Sequence, residues 1–362
     1  MSGRGEGTGL RYGWTTGACA TASTAAAYTA LLTGTFPDPV EIVLPKGHRP
    51  AFALARERLG EGFATAGVVK DAGDDPDVTH GALVSVTVSH AEPGQGVLFR
   101  AGPGVGTVTK PGLPLPVGEP AVNPVPRQLI RDVIARVAAE HGGSGDLVVE
   151  VSVDNGAELA RHTWNPRLGI IGGLSILGTT GVVVPYSCSA WIDSIRRGVD
   201  VARAAGLDHV AGCTGSTSER VVTELYGLPE EALLDMGDFA GAVLKYLRRH
   251  PVARLTIAGG IGKISKLADG HLDLHSKRSQ VNFALLAKIV GDAGGGSELA
   301  DRIGGANTAL EALQLCLGAG LPLGDLIAER AREICRETLR GAPVSVDVIV
   351  IDRAGTIVGR TA

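Results

Sequence analysis

Residues 263–278 hold a dense group of basic side chains. Three lysines, one arginine and two histidines lie there, although the whole chain has a formal net charge of −4 at pH 7. A charge run is usually a solvated surface. This one directly follows a glycine turn at the end of a predicted strand, where Lys and Arg can bind carboxylates through charge-assisted hydrogen bonds. We therefore favour a cradle for a polyanionic ligand, with these predicted contacts: Lys263, Lys266, His271, Lys277 and Arg278.

Four loops rich in glycine, hydroxyl groups or carboxylates each follow a predicted strand. They comprise residues 172–181, 212–217, 235–238 and 259–263. In an open parallel sheet, ligands bind beyond the carboxyl ends of the strands. We therefore expect the four loops to lie at one edge of a sheet and to form a crevice for a small molecule. The predicted ligand-binding residues are Gly172, Gly173, Ser175, Gly178, Thr179, Thr180, Thr214, Gly215, Ser216 and Asp238.

The first of these loops lies in an uncharged stretch that continues from residue 168 to residue 192. Its glycines, a proline and several hydroxyl groups argue against a membrane span. The pattern favours short strands at residues 168–171 and 182–184 around a loop. Gly172 and Gly173 permit a sharp turn and a close approach of a ligand to backbone N–H groups. We favour a ligand-binding loop over a tight crossover between packed strands.

An acidic loop at residues 69–81 carries four carboxylates, one lysine and one histidine. Its Asp-Asp-Pro-Asp sequence indicates a tight polar loop. A cation site and a solvated acidic turn are equally consistent with this pattern.

Composition excludes several classes of protein. The 52 glycines and the 4% aromatic content argue against base-stacking platforms for nucleic acid, and the negative net charge offers no general attraction to nucleic acid or to anionic lipid. Five dispersed cysteines without a C-x-x-C pair predict neither a disulfide framework nor a structural zinc site, and they favour the cytoplasm. No signal peptide is indicated, and residues 1–9 are predicted to be a mobile tail.

The elements that must position these residues fall into two groups. Residues 1–164 predict an α+β domain, with a helix from Thr15 or Thr16 to about Gly34, strands between residues 40 and 101, a helix over 124–141 and a strand over 147–153. Residues 165–362 alternate strands with helices, including one helix predicted over residues 298–317. This predicts a Rossmann-like α/β domain with a mostly parallel sheet covered by helices on both faces, although the C-terminal strand could pack elsewhere.

Several motifs resemble those of the CbiD family, the cobalt-precorrin-5B C1-methyltransferases of cobalamin biosynthesis. The similar segments are Trp14-Thr15-Thr16-Gly17 and residues 70–80, 122–127 and 165–181. The resemblance runs from Leu10 to about Arg278. It implies an enzyme with an α+β domain beside a Rossmann-like one, with S-adenosylmethionine (SAM) as methyl donor and a cobalt-precorrin tetrapyrrole as acceptor. With this resemblance, the ligand-binding residues predicted in the glycine-rich loops become the expected contacts of the methyl donor SAM. Lys70 and Asp71 join the basic run as predicted acceptor-binding residues.

Methyl transfer from a sulfonium to carbon requires alignment of two bound molecules and no covalent enzyme intermediate. This agrees with a sequence that has no convincing nucleophile pattern and no predicted metal site. His275 is the predicted group for the proton that the macrocycle loses. Two alternatives stay open: a non-catalytic tetrapyrrole carrier, and a nucleotide-dependent oxidoreductase, for which no intact G-x-G-x-x-G motif follows a strand. A homo-oligomer is also possible.

Overall fold

The computed structural model describes residues 9–361, so the predicted N-terminal tail lies outside the described residues except for Gly9. The chain divides into two compact units, Met1–Cys188 and Ser189–Ala362. No helix in the described part of the chain is long and apolar enough to cross a membrane.

The N-terminal unit combines three α-helices with thirteen short or medium strands among its described residues. The helices are α1 (Thr16–Thr33), α2 (Pro124–His141) and α3 (Gly156–Ala160). The strands are β1 (Gly13–Trp14), β2 (Val40–Glu41), β3 (Ala51–Phe52), β4 (Arg56–Gly60), β5 (Phe63–Val69), β6 (Leu83–His90), β7 (Val97–Ala101), β8 (Gly104–Val105), β9 (Thr107–Val108), β10 (Leu147–Val153), β11 (Ile170–Ile171), β12 (Gly173–Leu174) and β13 (Val182–Val183).

The main sheet of this unit has the order β4-β5-β6-β10-β7. Its neighbouring strands are antiparallel except for β10 and β7, which are parallel. Helices α1 and α2 pack with this sheet in one apolar core. The prediction of an α+β architecture for this part of the chain agrees with the structure.

Helix α1 is buried along most of its length because its side chains are small. The Thr15 hydroxyl caps its first turn by accepting a hydrogen bond from the Ala18 amide, and Gly34 ends it in the left-handed conformation. The Ser23 hydroxyl donates to the Val84 carbonyl in the sheet, which ties the helix to β6. The predicted helix is confirmed here.

Residues 165–187 belong to the N-terminal unit, so the predicted domain boundary after residue 164 is wrong. Three two-stranded ladders join this stretch to earlier residues: β11 pairs with β9, β12 with β8 and β13 with β1. The partner strands lie more than 60 residues earlier in the sequence. The division therefore falls after Cys188.

The C-terminal unit contains eight α-helices and five strands among its described residues. The helices are α4 (Ser189–Ala204), α5 (Ser216–Tyr226), α6 (Ala240–Leu247), α7 (Ile261–Ala268), α8 (Phe283–Asp292), α9 (Gly296–Gly304), α10 (Ala309–Gly318) and α11 (Leu323–Leu339). The strands are β14 (His209–Cys213), β15 (Leu233–Asp235), β16 (Arg254–Gly260), β17 (Ser345–Ile351) and β18 (Ile357–Arg360).

These strands form one sheet in the order β15-β14-β16-β17-β18. The first four strands run parallel and β18 is antiparallel to β17, so the C-terminal strands complete this sheet. Alternate residues of β14 contribute to different apolar clusters. Val210 packs in a cluster with α4, α6, α7 and α11, whereas Ala211 and Cys213 pack in a cluster with α5. Helices therefore cover both faces of the sheet.

One predicted helix in this unit needs correction, and one observed helix was not predicted. Residues 298–317 form two helices instead of one. Helix α9 ends at Gly304, with Gly305 as its C-cap, and Thr308 caps a new helix by accepting a hydrogen bond from the Glu311 amide. Helix α7 was not predicted, since its residues were interpreted as part of an irregular basic run. Its buried residues Ile261, Ile264 and Leu267 have the spacing that could have revealed it.

Candidate functional site at the carboxyl edge of the C-terminal sheet

Three of the four predicted loops meet at the carboxyl edge of the C-terminal sheet. They follow β14, β15 and β16, which are adjacent and parallel. Lys263 joins them: its Nζ donates a hydrogen bond to the Thr214 carbonyl at 3.1 Å and lies 3.2 Å from Oδ1 of Asp238. The sequence therefore identified these loops, and the parallel strands bring their side chains together.

The Asp238 carboxylate is partly buried, with 22% of the side chain exposed. Its Oδ1 is inaccessible to solvent and makes no hydrogen bond to any described residue, and the Lys263 ammonium lies 3.2 Å away. Charge attraction to Lys263 stabilises this oxygen. The side chain keeps a small exposed part at this edge of the sheet.

The first turns of two helices lie at this edge. Helix α5 follows β14 and packs on one face of the sheet, while α7 follows β16 and packs on the other. This divergence of helices from neighbouring strands defines a switch point, where parallel sheets bind ligands. Gly215 and Gly260 precede the two helices, and no described atom lies within 4 Å of the position where a Cβ would be. A ligand can therefore approach both backbones closely.

Trp191 contributes an aromatic surface that the sequence analysis missed. Its indole Nε1 donates to the Asp235 carbonyl at 2.9 Å, and its ring lies 2.9 Å from the Cβ position of Gly237. The side chain also contacts Phe239 edge-on and remains 42% exposed. No local pattern distinguishes this tryptophan from an ordinary helix residue, so only the fold reveals its position beside the loop after β15.

The predicted basic cradle is divided between helix α7 and the segment at residues 271–279, which we call the strap. Lys266 is buried on α7, and its Nζ donates to the Leu274 carbonyl at 2.9 Å. It is therefore not a surface ligand for an acidic molecule, contrary to the prediction. His271 is partly exposed, with Nε2 3.5 Å from Oδ2 of Asp269.

The exposed end of the strap retains three of the predicted residues. His275, Lys277 and Arg278 are exposed, and Arg278 forms an ion pair with Asp273. The Lys277 amide donates to Nδ1 of His275 at 3.2 Å. In the neutral imidazole that accepts this bond, Nε2 carries the proton and is a donor.

Residues 172–181 do not follow a strand of the parallel sheet, so the prediction that four loops share one edge is wrong. These residues lie in the N-terminal unit and hold the start of α1. The Gly17 amide donates to the Leu177 carbonyl at 2.9 Å, and the Leu177 amide donates to the Thr16 hydroxyl at 3.0 Å. Much of this backbone is therefore occupied by contacts within the protein.

Most of the residues that were predicted to bind the methyl donor in this segment also make contacts within the protein. A Cβ on Gly173 would lie 2.3 Å from the backbone of Gly104, and one on Gly178 would lie 2.2 Å from the Thr15 hydroxyl. Ser175 is buried and accepts a hydrogen bond from Asn123 at 2.9 Å. Thr180 binds the Val182 backbone. Gly172 alone of these glycines has an open Cβ position, at a φ of +90°, and Thr179 lies between Gly178 and Thr180 in the same segment.

The acidic loop is held together by its own ion pairs. Lys70 is 1% exposed, and its Nζ lies 2.7 Å from Oδ2 of Asp77. Asp71 binds the Arg11 guanidinium through both carboxylate oxygens. Lys70 is therefore buried instead of reaching an acidic substrate, and Asp71 is engaged by a cation from the same unit.

These contacts affect the acidity of both carboxyl groups. The hydrogen bond from Arg11 is the main reason that the pKa of Asp71 lies below its ordinary value. Burial raises the pKa of Asp77, but the charge and hydrogen bond of Lys70 and the hydrogen bonds from Thr79 outweigh it, so its pKa is also lowered. Both carboxylates are therefore stabilised in the ionised form.

Comparisons with known proteins find matches to one family in both units of the chain. A family model described as CbiD matches residues 4–185, and one described as CbiD, C-terminal domain, matches residues 273–362. The chain is 62% identical to a protein of Brucella anthropi named cobalt-precorrin-5B C(1)-methyltransferase, over 97% of this chain and 95% of that protein. It is 61% identical to a protein of the same name from Paramagnetospirillum magneticum, over 97% of this chain and 98% of that protein.

A crystal structure of the cobalamin biosynthesis protein cbiD from Archaeoglobus fulgidus is 27% identical, with a TM-score of 0.40, and the match covers 70% of this chain and 77% of that one. The family-model matches and the 62% identity to curated relatives confirm the resemblance seen in the motifs: the chain belongs to the CbiD family.

Proposed function

We propose that this chain is a cobalt-precorrin-5B C(1)-methyltransferase that uses SAM and forms cobalt-precorrin-6A. The observation that carries the proposal is the 62% identity, over 97% of the chain, to proteins of that name. A cytoplasmic location is part of the same proposal.

The C-terminal unit is, in this proposal, a Rossmann-like domain that binds the donor. Numbered along the chain, its strands have the order 2-1-3-4-5, which is a doubly wound order with its switch point between the first and third strands. The carboxyl edge at that point has open backbone at Gly215 and Gly260 and hydroxyl groups at Thr214 and Ser216. These features support donor binding there.

Specific groups at this edge match the parts of the donor. Asp238 follows the second strand, where a carboxylate can accept hydrogen bonds from ribose hydroxyls. The exposed ring of Trp191 offers an apolar wall for the adenine. The amides in the first turns of α5 and α7 suit the donor's carboxylate, because helix N-termini attract anions.

The exposed end of the strap is the proposed acceptor contact. Lys277 and Arg278 are cations suited to the carboxylates of the tetrapyrrole, and His275 offers an N–H donor beside them. The partly exposed His271 and Lys263 complete the set that we assign to this side.

The bound sulfonium supplies an electrophilic methyl group, so the chain itself needs no nucleophile. Its residues act by holding the acceptor carbon in line with that methyl group and by excluding water. A carbon–carbon bond forms as the carbon–sulfur bond breaks, and the macrocycle then loses a proton. We assign that proton to His275, whose Nδ1 accepts it when the Lys277 amide is displaced.

The proposal is tested by titrating the protein with S-adenosylhomocysteine in a calorimeter and by following the mass of cobalt-precorrin-5B incubated with SAM. We expect saturable binding at one site and replacement of one hydrogen by one methyl group. Fluorescence of Trp191 should change with the titration, and Trp191→Phe should abolish that change while Trp14→Phe leaves it.

Two other outcomes would replace the proposal. Binding of the tetrapyrrole without binding of S-adenosylhomocysteine would indicate a carrier. Saturable binding of NADPH, without methylation, would indicate the oxidoreductase.

A further inference from the structure

Two lysines of helix α7, Asp238 and Leu274 of the strap form a closed ring of contacts. Lys263 lies against the Asp238 carboxylate, and the Asp238 carbonyl accepts a hydrogen bond from the Leu274 amide at 2.8 Å. The Leu274 carbonyl accepts from Nζ of Lys266 at 2.9 Å. Lys263 and Lys266 are three residues apart on one helix, so the chain of contacts returns to its start.

Lys266 is an unusual member of this group. Its residue is only 8% exposed, and no carboxylate of residues 9–361 forms an ion pair with it. Burying an ammonium group against a neutral carbonyl costs more than burying one against a carboxylate. An uncharged helix residue would avoid that cost. We therefore attribute the presence of a lysine at this position to its hydrogen bond with the Leu274 carbonyl.

The position of Leu274 explains why the contact matters. Its side chain is 1% exposed in the main core of the unit, and the next residues along the chain are the exposed His275, Lys277 and Arg278. A second contact anchors the strap two residues before Leu274, where the Gly241 amide donates to the Leu272 carbonyl at 2.9 Å. Lys266 thus fastens the strap directly before its basic end.

We propose that Lys266 is a positioning residue that holds the basic end of the strap beside the loop carrying Asp238. This inference rests on the proposed function, because it assigns the strap to the acceptor and Asp238 to the donor. Lys266 touches neither molecule. It sets the place of one binding segment relative to the other through Leu274, so its loss affects acceptor binding before donor binding.

The test compares Lys266→Met with the wild-type protein by hydrogen exchange without any ligand. The substitution keeps the length of the side chain and removes the donor. We expect the amides of residues 272–279 to exchange at least roughly tenfold faster, while the amides of β14 and β16 keep their wild-type rates. Lys288→Met, at an exposed position on α8, makes the same change of charge and should leave the strap unaffected.

Enzyme kinetics supply the second readout. For Lys266→Met we expect KM for cobalt-precorrin-5B to rise about tenfold, with the Kd for S-adenosylhomocysteine within about twofold of wild type. Lys266→Arg keeps a charged donor and should regain at least half of the lost protection of the strap.

Three results would overturn the inference. The strap could exchange at its wild-type rate in Lys266→Met, the faster exchange could spread equally to β14 and β16, or Lys266→Arg could regain no protection. Failure of the proposed function would look different, because wild-type protein would then bind no S-adenosylhomocysteine whatever the strap does.

Discussion

Residues 172–181 of the N-terminal unit and the loops at the carboxyl edge of the C-terminal sheet look alike in sequence but differ in what surrounds their glycines. The Cβ position of Gly173 is occupied by the backbone of Gly104, and that of Gly178 by Thr15. The corresponding positions at Gly215 and Gly260 are open. At Gly173 and Gly178 the missing side chain allows close packing within the protein, and at Gly215 and Gly260 it leaves open space in which we propose that the donor binds.

The lysines of the two units differ in the same way. Lys70 is 1% exposed and is neutralised by Asp77, whereas the Lys263 side chain is 38% exposed and lies among the loops of the candidate site. A buried pair makes the unit depend on both partners, while a half-exposed cation can exchange its contacts with a ligand. The type of residue does not distinguish these cases, but its surroundings do.

The largest effect is expected at the buried pair of the N-terminal unit. Asp77→Ala leaves the Lys70 ammonium buried without its counter-ion, and we expect a loss of about 3–5 kcal/mol in the free energy of unfolding. Urea unfolding followed by circular dichroism measures it. Lys263→Met, at the other site, should cost less, about 1–2 kcal/mol, because that cation is partly solvated but its loss leaves the inaccessible Oδ1 of Asp238 without the neighbouring charge. Equal losses in the two variants would remove the contrast between the lysines.

A smaller loss of stability is expected when the packed glycine is changed. Gly173→Ala introduces a Cβ 2.3 Å from the Gly104 backbone, which cannot move like a flexible side chain. We expect the free energy of unfolding to fall by about 2–3 kcal/mol, the range for overpacking a core. A variant as stable as wild type, with weakened binding of S-adenosylhomocysteine, would instead indicate that residues 172–181 bind the methyl donor.

Gly260→Val is the matched change at the open edge. Its φ of −64° is accessible to valine and its Cβ position is open, so the free energy of unfolding should fall by no more than about 1 kcal/mol, mainly because valine is a poorer helix N-cap than glycine. The side chain would fill space that we assign to the donor, and calorimetry should show affinity for S-adenosylhomocysteine lowered about tenfold. Unchanged affinity would place the donor elsewhere.

The smallest effect concerns acidity. Asp71 has a lowered pKa in the folded protein, chiefly because of the hydrogen bond from Arg11. Near pH 4 its carboxyl group therefore binds fewer protons in the folded state than in the unfolded state. Its contribution to stability is therefore present above about pH 4 and is lost as the pH falls through the lowered folded value. Urea unfolding of wild type and Asp71→Asn should differ most near neutral pH and converge in acid. A difference that grew in acid would contradict the ion pair.

Local patterns were sufficient for several elements and for the family. The small-residue helix α1 has a capping threonine and a terminal glycine, and β10 alternates buried and less buried residues along its whole length. Both signals depend on neighbours within a few positions, so they are legible without a fold. The long motifs that identified the family are likewise continuous in the sequence.

The sequence by itself therefore determined the secondary structure of the longer elements, the presence of a parallel sheet region and membership of the CbiD family. Only the tertiary structure decided that residues 165–187 belong to the first unit, that Lys70 and Lys266 are buried, and that Trp191 lies beside the loop after β15. The physical reason is that each of these facts depends on space occupied by residues distant along the chain. Gly104 fills the space beside Gly173, Asp77 neutralises the buried Lys70, and the Leu274 carbonyl receives the Lys266 ammonium.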